Sequence, residues 1–380
     1  MMAAETRNDI QWLRCIAALE VVVWHSDLIV KHFSSNLITQ TFWEPLGGIG
    51  VELFFIVSGY VICMRAPHYR TGLAFLRSRI YRLFPLYWIF TSLVILAYFL
   101  NRKWSLHGLE LNPESVLSSY LILPQQRHPI LGVGWTLEHE MVFYAFVAIL
   151  MLLPLGLTMR SRFGFGLVLL ALGLSGFFLG TGPNGETWDF HLTSPYLLPF
   201  AFGWLARLVN ESGSGSGRRS AALLGSFLAV VALGARFGDQ QENLLAGRFA
   251  LTAAFFFVFW KAERIFRIDN LVNRSAATIG NASYSLYLSH WFVLSIAGKV
   301  LGQLPLSPSL GIVVRLLGIL LCVVVGQVLF TYLEKPIDRM LRGRAGKPAA
   351  RLRAGRHAPR LPNWVRGFGR AASAAPVAKR

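Results

Sequence analysis

Arg14 and His25 stand eleven residues apart in a mostly apolar run, Ile10–Val30. On an α-helix, eleven steps of about 100° overshoot three turns by only about 20°, so both side chains share one face, about 16 Å apart. Taken singly, a histidine in such a run is ordinarily a packing residue, and an arginine near a helix end ordinarily snorkels. Sharing a face, they suggest an anion holder and a base that address one elongated ligand.

Other ionisable residues fall where hydrocarbon would penalise them, and such residues mark functional sites by default. Glu52, Glu140 and His290 each lie in the outer half of a different apolar stretch, and with His25 they are expected to form one layer of acids and histidines. Arg77, Arg79 and Arg82 precede the charge-free run Leu83–Leu100 and are expected level with Arg14, as a basic layer on the cytoplasmic side. Tyr60, Glu52 and His290 are candidate contacts for an acceptor. Glu138, about 200° from Glu140 on the same helix, is expected to face solvent. In this arrangement the arginines hold a phosphate-bearing donor, and a flexible arm of that donor crosses between the layers. His25, oriented by a carboxylate, deprotonates an acceptor hydroxyl; Glu140 is expected either to orient His25 or to contact the acceptor. A coenzyme A ester has the required shape: phosphates, a long pantetheine arm, then a thioester. His25 as base and His25 as transient acyl carrier both remain open at this point.

The elements that must position these residues are membrane spans. Of 380 residues, 54% are hydrophobic and only 15% charged, against about a quarter charged in a soluble domain. A bilayer core of about 30 Å takes about 20 apolar residues per helix. Five runs contain no Asp, Glu, Lys or Arg: Leu83–Leu100, Met141–Met159, Phe163–Gly185, Ser275–Gly298 and Leu316–Leu333. Five more complete the set: Gly48–Met64, His191–Leu208 and Leu244–Trp260 with one charged residue each, Ile10–Val30 with three, and the shorter Ser220–Ala235 with none. The expected fold is therefore all-α, polytopic, of about ten transmembrane helices. Lys and Arg gather in alternate short loops (Arg65 to Arg79, Arg160/Arg162, Arg207 to Arg219, Lys261 to Arg274), which places both termini inside. Lys31, Arg102/Lys103/Arg127, Arg236/Arg248 and Lys299 are the sparser outer set. The segment Lys103–Val133 is long for a hairpin loop, and is expected to re-enter or to lie on the outer surface.

The formal net charge is +18, yet residues 335–380 hold 13 Lys/Arg against the single acid Asp338. The chain thus divides into a transmembrane domain, residues 8–337, and a basic tail, residues 338–380, expected to be disordered and to meet anionic lipid headgroups rather than nucleic acid. Cys15, Cys63 and Cys322 lie far apart in apolar stretches. Their spacing suggests neither a zinc site nor a disulfide framework, and no metal is expected. Without a basic n-region ahead of a short apolar run, the first apolar segment is expected to be retained. A proton-coupled flippase of lipid-linked saccharide, with Glu140, His25 and His290 as its relay, is a competing class. So is a non-catalytic partner in polysaccharide export. Transporters usually carry internal repeats, and the sequence has none.

The motifs themselves resemble a known family. IQWLRCIAALEVVVWHS (10–26), GGIGVELFFIVSGYVI (47–62), RSRIYRLFPLYW (77–88), GVGWTLEHEMVFYAF (132–146), IGNASYSLYLSHWFV (279–293) and YLEKPI (332–337) occur in the order typical of the membrane acyltransferase 3 family. They most resemble its exopolysaccharide-acetylating branch. Gln11 stands where many members have Asp, and Glu52 where Asp is common, which weakens any role tied to an acid at those positions. The resemblance implies a multi-pass O-acetyltransferase of the bacterial inner membrane. It implies acetyl-CoA as donor and a surface polysaccharide or lipid-linked sugar as acceptor. It carries essential roles to His25 and Arg14 and supports roles for Glu140, Arg77, Arg79 and Arg82. A fused hydrolase-like domain, present in some relatives, is not expected in the 43 residues after residue 337, so acceptor recognition is expected from the membrane domain or from polysaccharide biosynthesis and export proteins.

Overall fold

The structure is a computed structural model describing residues 8–30, 49–101, 111–125, 128–179, 188–213, 216–238, 240–262, 265–301 and 308–344. Among these residues all regular structure is helical. The first half runs α1 (Asn8–His25), α2 (Asp27–Val30), α3 (Ile49–Arg65), α4 (Gly72–Leu100), α5 (Pro113–Leu121), α6 (Trp135–Leu152) and α7 (Met159–Phe178). The second half runs α8 (Trp188–Thr193), α9 (Leu197–Glu211), α10 (Ser216–Phe237), α11 (Gln240–Lys261), α12 (Leu271–Asn281), α13 (Ser283–Leu301) and α14 (Pro308–Leu329). A π-helical turn, Phe330–Glu334, leads into α15 (Lys335–Arg344), which runs across the expected boundary at residue 338. The rest of the basic tail, from residue 345, lies outside the described residues.

Seven segments are long and apolar enough to cross a membrane: Ile49–His68, Gly72–Leu100, Gly132–Leu152, Met159–Phe178, Gly217–Phe237, Glu242–Lys261 and Leu310–Leu341. The chain is a polytopic membrane protein. The other three expected spans are each in two pieces, broken at Ser26, at Ser194–Tyr196 and at Ala282. Eleven of the fifteen residues of α9 are buried, and α1 and α13 carry the histidines. α9 is enclosed by other helices and needs no continuous lipid-facing surface, whereas α1 is interrupted by Asp9, Arg14 and Glu20, and α13 by four serines, His290 and Lys299.

Several expected boundaries shift, most often because helices continue through charged residues that find partners. α4 starts at Gly72, capped by Thr71, whose side chain accepts from Ala74 N at 3.1 Å, so Arg77, Arg79 and Arg82 lie within the helix. α6 runs Trp135–Leu152 rather than Met141–Met159. Arg162, expected in a cytoplasmic loop, is a buried residue of α7. It holds Glu211 with two bonds of 2.8 and 3.1 Å and reaches Cys63 O at 2.9 Å, tying α7, α9 and α3 together. Arg248, counted with an outer loop, lies in α11.

Close packing replaces the hydrophobic drive that lipid cannot supply. A Cβ on Gly59 would lie 2.1 Å from Phe200 O, and one on Gly203 would lie 1.9 Å from Ile56 O, so α3 and α9 touch backbone to backbone. The described part of the long outer segment folds against α4, where Trp88 Nε1 donates to Tyr120 O at 2.7 Å and Ser92 and Tyr120 hydroxyls meet at 2.6 Å.

Candidate active site

Arg14, six residues into α1, faces a polar layer built by five other segments. α3 contributes Ser58, α6 contributes Glu140 and Tyr144, and α4 contributes Arg79 and Arg82. α13 adds Tyr284 and Ser285, and the π-helical turn adds Glu334. Ser58 Oγ donates to Glu140 at 2.9 Å, and the Tyr144 hydroxyl donates to the same carboxylate oxygen. Arg79 donates to Tyr69 OH at 2.8 Å and to Ser78 Oγ at 3.3 Å. Arg82 is ion-paired with Glu334, whose second oxygen accepts from Ser285 Oγ. Arg82 also lies 5.7 Å from the centre of the Tyr284 ring.

Arg14 differs from these arginines. Among the described residues its guanidinium has no hydrogen-bond or ion-pair partner, although Arg82, Glu334, Glu140 and Tyr144 all act on it electrostatically. It is partly exposed. Three guanidinium groups against two carboxylates give the layer a formal excess of one positive charge, and Arg14 is the member left with its donors unused. That is a geometry for receiving an anion. Of the arginine cluster expected on α4, Arg82 joins Arg14. Arg79 comes within electrostatic range of Glu140 and Tyr144. Arg77 does not join; it is exposed and stacks on Tyr81 at 5.4 Å.

His25 ends α1, about three turns beyond Arg14 on the same face. Its Nδ1 lies 2.9 Å from Val21 O and 3.3 Å from Nε2 of His290 on α13. The two rings are 5.0 Å apart, and Trp291 packs edge-on against His25, also at 5.0 Å. Arg315 on α14 donates to Ser26 Oγ at 2.6 Å and to Val23 O at 3.1 Å, securing the last turn of α1 and the break after it. A cation at a helix C-terminus is favourably placed for the carbonyls there. His25 is therefore fixed from its own helix, from α13 and from α14.

The remaining expected site residues go elsewhere. The hydrogen bonds of Glu140 run to Ser58 and Tyr144, in the arginine layer, so its expected pairing with His25 is replaced by one with the groups around Arg14. Glu52 is fully buried and paired with Arg248 of α11. Tyr60, also fully buried, accepts from Asn210 Nδ2 at 3.0 Å and lies under Arg207. Glu52 and Tyr60 thus face α9 and α11 rather than His25. His290 alone of the three acceptor candidates meets the histidine.

Glu138 reverses its expectation. It is buried, accepts from Gln125 Nε2 at 2.8 Å and meets His191 Nε2 at 3.1 Å. The His191 ring in turn lies 4.4 Å from that of His139, tilted by 40°, and His139 Nε2 lies 3.0 Å from Ser194 Oγ. The face opposite Glu140 is not solvent but a second interior contact, with α8 and the outer segment. Sequence reasoning also gave no role to Glu334 and Arg315. Glu334 lies inside the YLEKPI motif, and Arg315 directly precedes the charge-free run Leu316–Leu333.

A profile of the acyltransferase domain family (Acyl_transf_3) matches residues 7–331, nearly the whole described region. The chain belongs to this family. It is a membrane O-acyltransferase. The exopolysaccharide production protein ExoZ of Rhizobium meliloti (strain 1021) is 28% identical over 327 residues, covering 82% of this chain and 95% of that protein. No solved structure matches. For this acyltransferase, the family match spans both Arg14 and His25 and ends three residues before Glu334.

Proposed function

We propose that this acyltransferase moves an acetyl group from cytoplasmic acetyl-CoA to a hydroxyl of an exopolysaccharide-type carbohydrate, on the polymer or on its lipid-linked precursor. It acts from a ten-span, N-in/C-in domain in a bacterial inner membrane. The observation that carries this reading is the pairing along one face of α1 of an arginine without a partner among the described residues and a histidine held rigidly. The printed name of the relative ExoZ supports the acceptor class.

Arg14, with Arg82 and Arg79 beside it, binds the donor's phosphates. Their positive layer lies about 16 Å from His25 along the helix axis, a gap that the pantetheine arm bridges. His25 takes the proton from the acceptor hydroxyl as its oxygen attacks the thioester carbonyl. The tetrahedral adduct collapses, the C–S bond breaks, and the imidazolium returns the proton to the departing thiolate. In a relay version, His25 itself carries the acetyl group between the two half-reactions. The two versions differ in whether an acetylated His25 accumulates without acceptor.

The reading is tested by transfer of labelled acetyl from acetyl-CoA, in membranes, to unacylated polysaccharide prepared from deletion cells. His25→Ala is expected to lower transfer by about 10²- to 10⁴-fold, the usual worth of a general base. Transfer by His25→Ala at the wild-type rate overturns it.

A further inference from the structure

Glu140 is held by one oxygen and open at the other. Ser58 Oγ donates to Oε1 at 2.9 Å, and the Tyr144 hydroxyl donates to that same oxygen. Among the described residues nothing bonds Oε2, and Glu140 is partly exposed. Glu52 shows the opposite arrangement, with its unpaired oxygen sealed inside the fold. The guanidinium groups of Arg14 and Arg79 act on Glu140 through space, yet neither bonds to it. Arg14 has no partner among the described residues, and Arg79 bonds through Nη2 alone, leaving its buried Nε unpaired. The layer thus holds a carboxylate oxygen and cationic N–H groups side by side, all unused. Ser58 and Tyr144 account for this: both of their protons go to Oε1, which fixes the carboxylate and leaves the lone pairs of Oε2 to a ligand.

A bare anion would use the arginines and be repelled by Glu140. A ligand that uses both must carry an N–H or O–H close to its negative charge. The pantetheine arm of a coenzyme A thioester does so. It leaves the phosphate through a hydroxyl-bearing carbon and an amide N–H, then continues through a second amide to the sulfur. We infer that Glu140 is a specificity-determining residue for the donor: Oε2 accepts from the hydroxyl or first amide N–H of the pantetheine arm, while Arg14 holds the adjoining phosphate. The inference rests on the reading of a coenzyme A thioester as donor. It gives Glu140 a task in the arginine layer, where its hydrogen bonds lie, rather than at His25. A hydrogen bond to a charged acceptor is worth about ten- to a hundredfold in affinity. The carboxylate also selects against anions that lack such a donor group, since it repels any charge brought to the arginines.

The test uses the full chain purified in detergent, with labelled acetyl-CoA and unacylated polysaccharide, and reads inhibition of transfer by uncharged fragments of the donor. Pantetheine has the whole arm without phosphates, whereas N-acetylcysteamine has only its last amide and thiol. Wild-type protein is expected to bind pantetheine about ten- to a hundredfold more tightly than N-acetylcysteamine. Glu140→Gln keeps the size of the side chain and both bonds to Oε1, but puts an NH₂ donor in the place of Oε2. It is expected to raise Ki for pantetheine about tenfold or more and to leave Ki for N-acetylcysteamine within about twofold. KM for acetyl-CoA is a poorer readout, because loss of the negative charge also strengthens the hold of the arginines on the phosphates. Arg14→Lys is expected to leave both inhibition constants within about twofold, since neither fragment carries a phosphate. A wild-type protein that binds the two fragments alike overturns the inference without any variant. So does Glu140→Gln if its inhibition by pantetheine is unchanged, if both fragments weaken equally, or if the folded variant loses all transfer. A raised KM for polysaccharide, with inhibition by pantetheine unchanged, would assign Glu140 to the acceptor instead. If wild-type protein transfers nothing from acetyl-CoA, the donor reading itself falls. If it does transfer and only the fragment results fail, the role of Glu140 alone falls.

Discussion

Arg14 is the residue whose chemistry is most exposed to test, because its neighbours have partners and it has none among the described residues. A planar guanidinium binds a phosphate with two parallel bonds, whereas a lysine offers a point charge. Arg14→Lys should therefore raise KM for the donor about tenfold, the equivalent of one charge-assisted bond, while kcat changes little. Steady-state kinetics with varied acetyl-CoA checks this, and an unchanged KM would remove Arg14 from the donor site. At this scale much was legible in the sequence: the eleven-residue spacing alone places Arg14 and His25 on one face. The partners were not. Whether Glu140 serves His25 or the arginine layer depends on how α6 is rotated and how deep it sits, and neither follows from its own residues. Glu138 was misjudged because helical angle tells which side a residue faces, not what lies on that side.

The bracing of the site belongs to the elements. The Arg82–Glu334 pair joins α4 to the π-helical turn, and Glu334 is almost fully buried. Removing one partner of such a pair leaves a buried charge uncompensated and costs about 3–5 kcal/mol, while replacing both by apolar residues can be nearly neutral. Arg82→Leu and Glu334→Leu should each lower the melting temperature in detergent. The double variant should recover most of the loss, though not transfer activity; additive losses would show that the pair does not brace these elements. The α3–α9 crossing gives a second case. Gly59→Ala places a methyl 2.1 Å from Phe200 O, and overpacking of this kind costs about 1–3 kcal/mol, to be read as reduced thermal stability of the purified protein. The charge-free runs showed where most spans lie. They missed the helix ends, because a search for runs without charge stops at residues such as Arg82, Glu138 and Arg162, which the fold keeps inside helices by pairing them.

Across the whole molecule, seven segments are clearly apolar enough to span a membrane, and the three remaining expected spans, which are polar and interrupted, carry Arg14, His25 and His290 among them. The sequence indicated all ten stretches. It could not show the breaks at Ser26, Ser194–Tyr196 and Ala282, which depend on what surrounds each helix. The N-in/C-in orientation proposed from loop charge has a direct check, since the native Cys15, Cys63 and Cys322 are all buried and give little background labelling. A cysteine introduced at the exposed Ser212 should react with a membrane-impermeant maleimide only in inverted vesicles. One at the exposed His128 should react only from the outer side, and the reverse pattern would overturn the N-in/C-in assignment. The central claim, that His25 drives acylation of a surface carbohydrate, is tested most directly by the acetyl content of polysaccharide from deletion cells, measured by NMR after complementation. Wild-type protein is predicted to restore the acetyl signals and His25→Ala, present in the membrane at equal abundance, to leave them absent; acetyl signals restored equally by both would contradict the account.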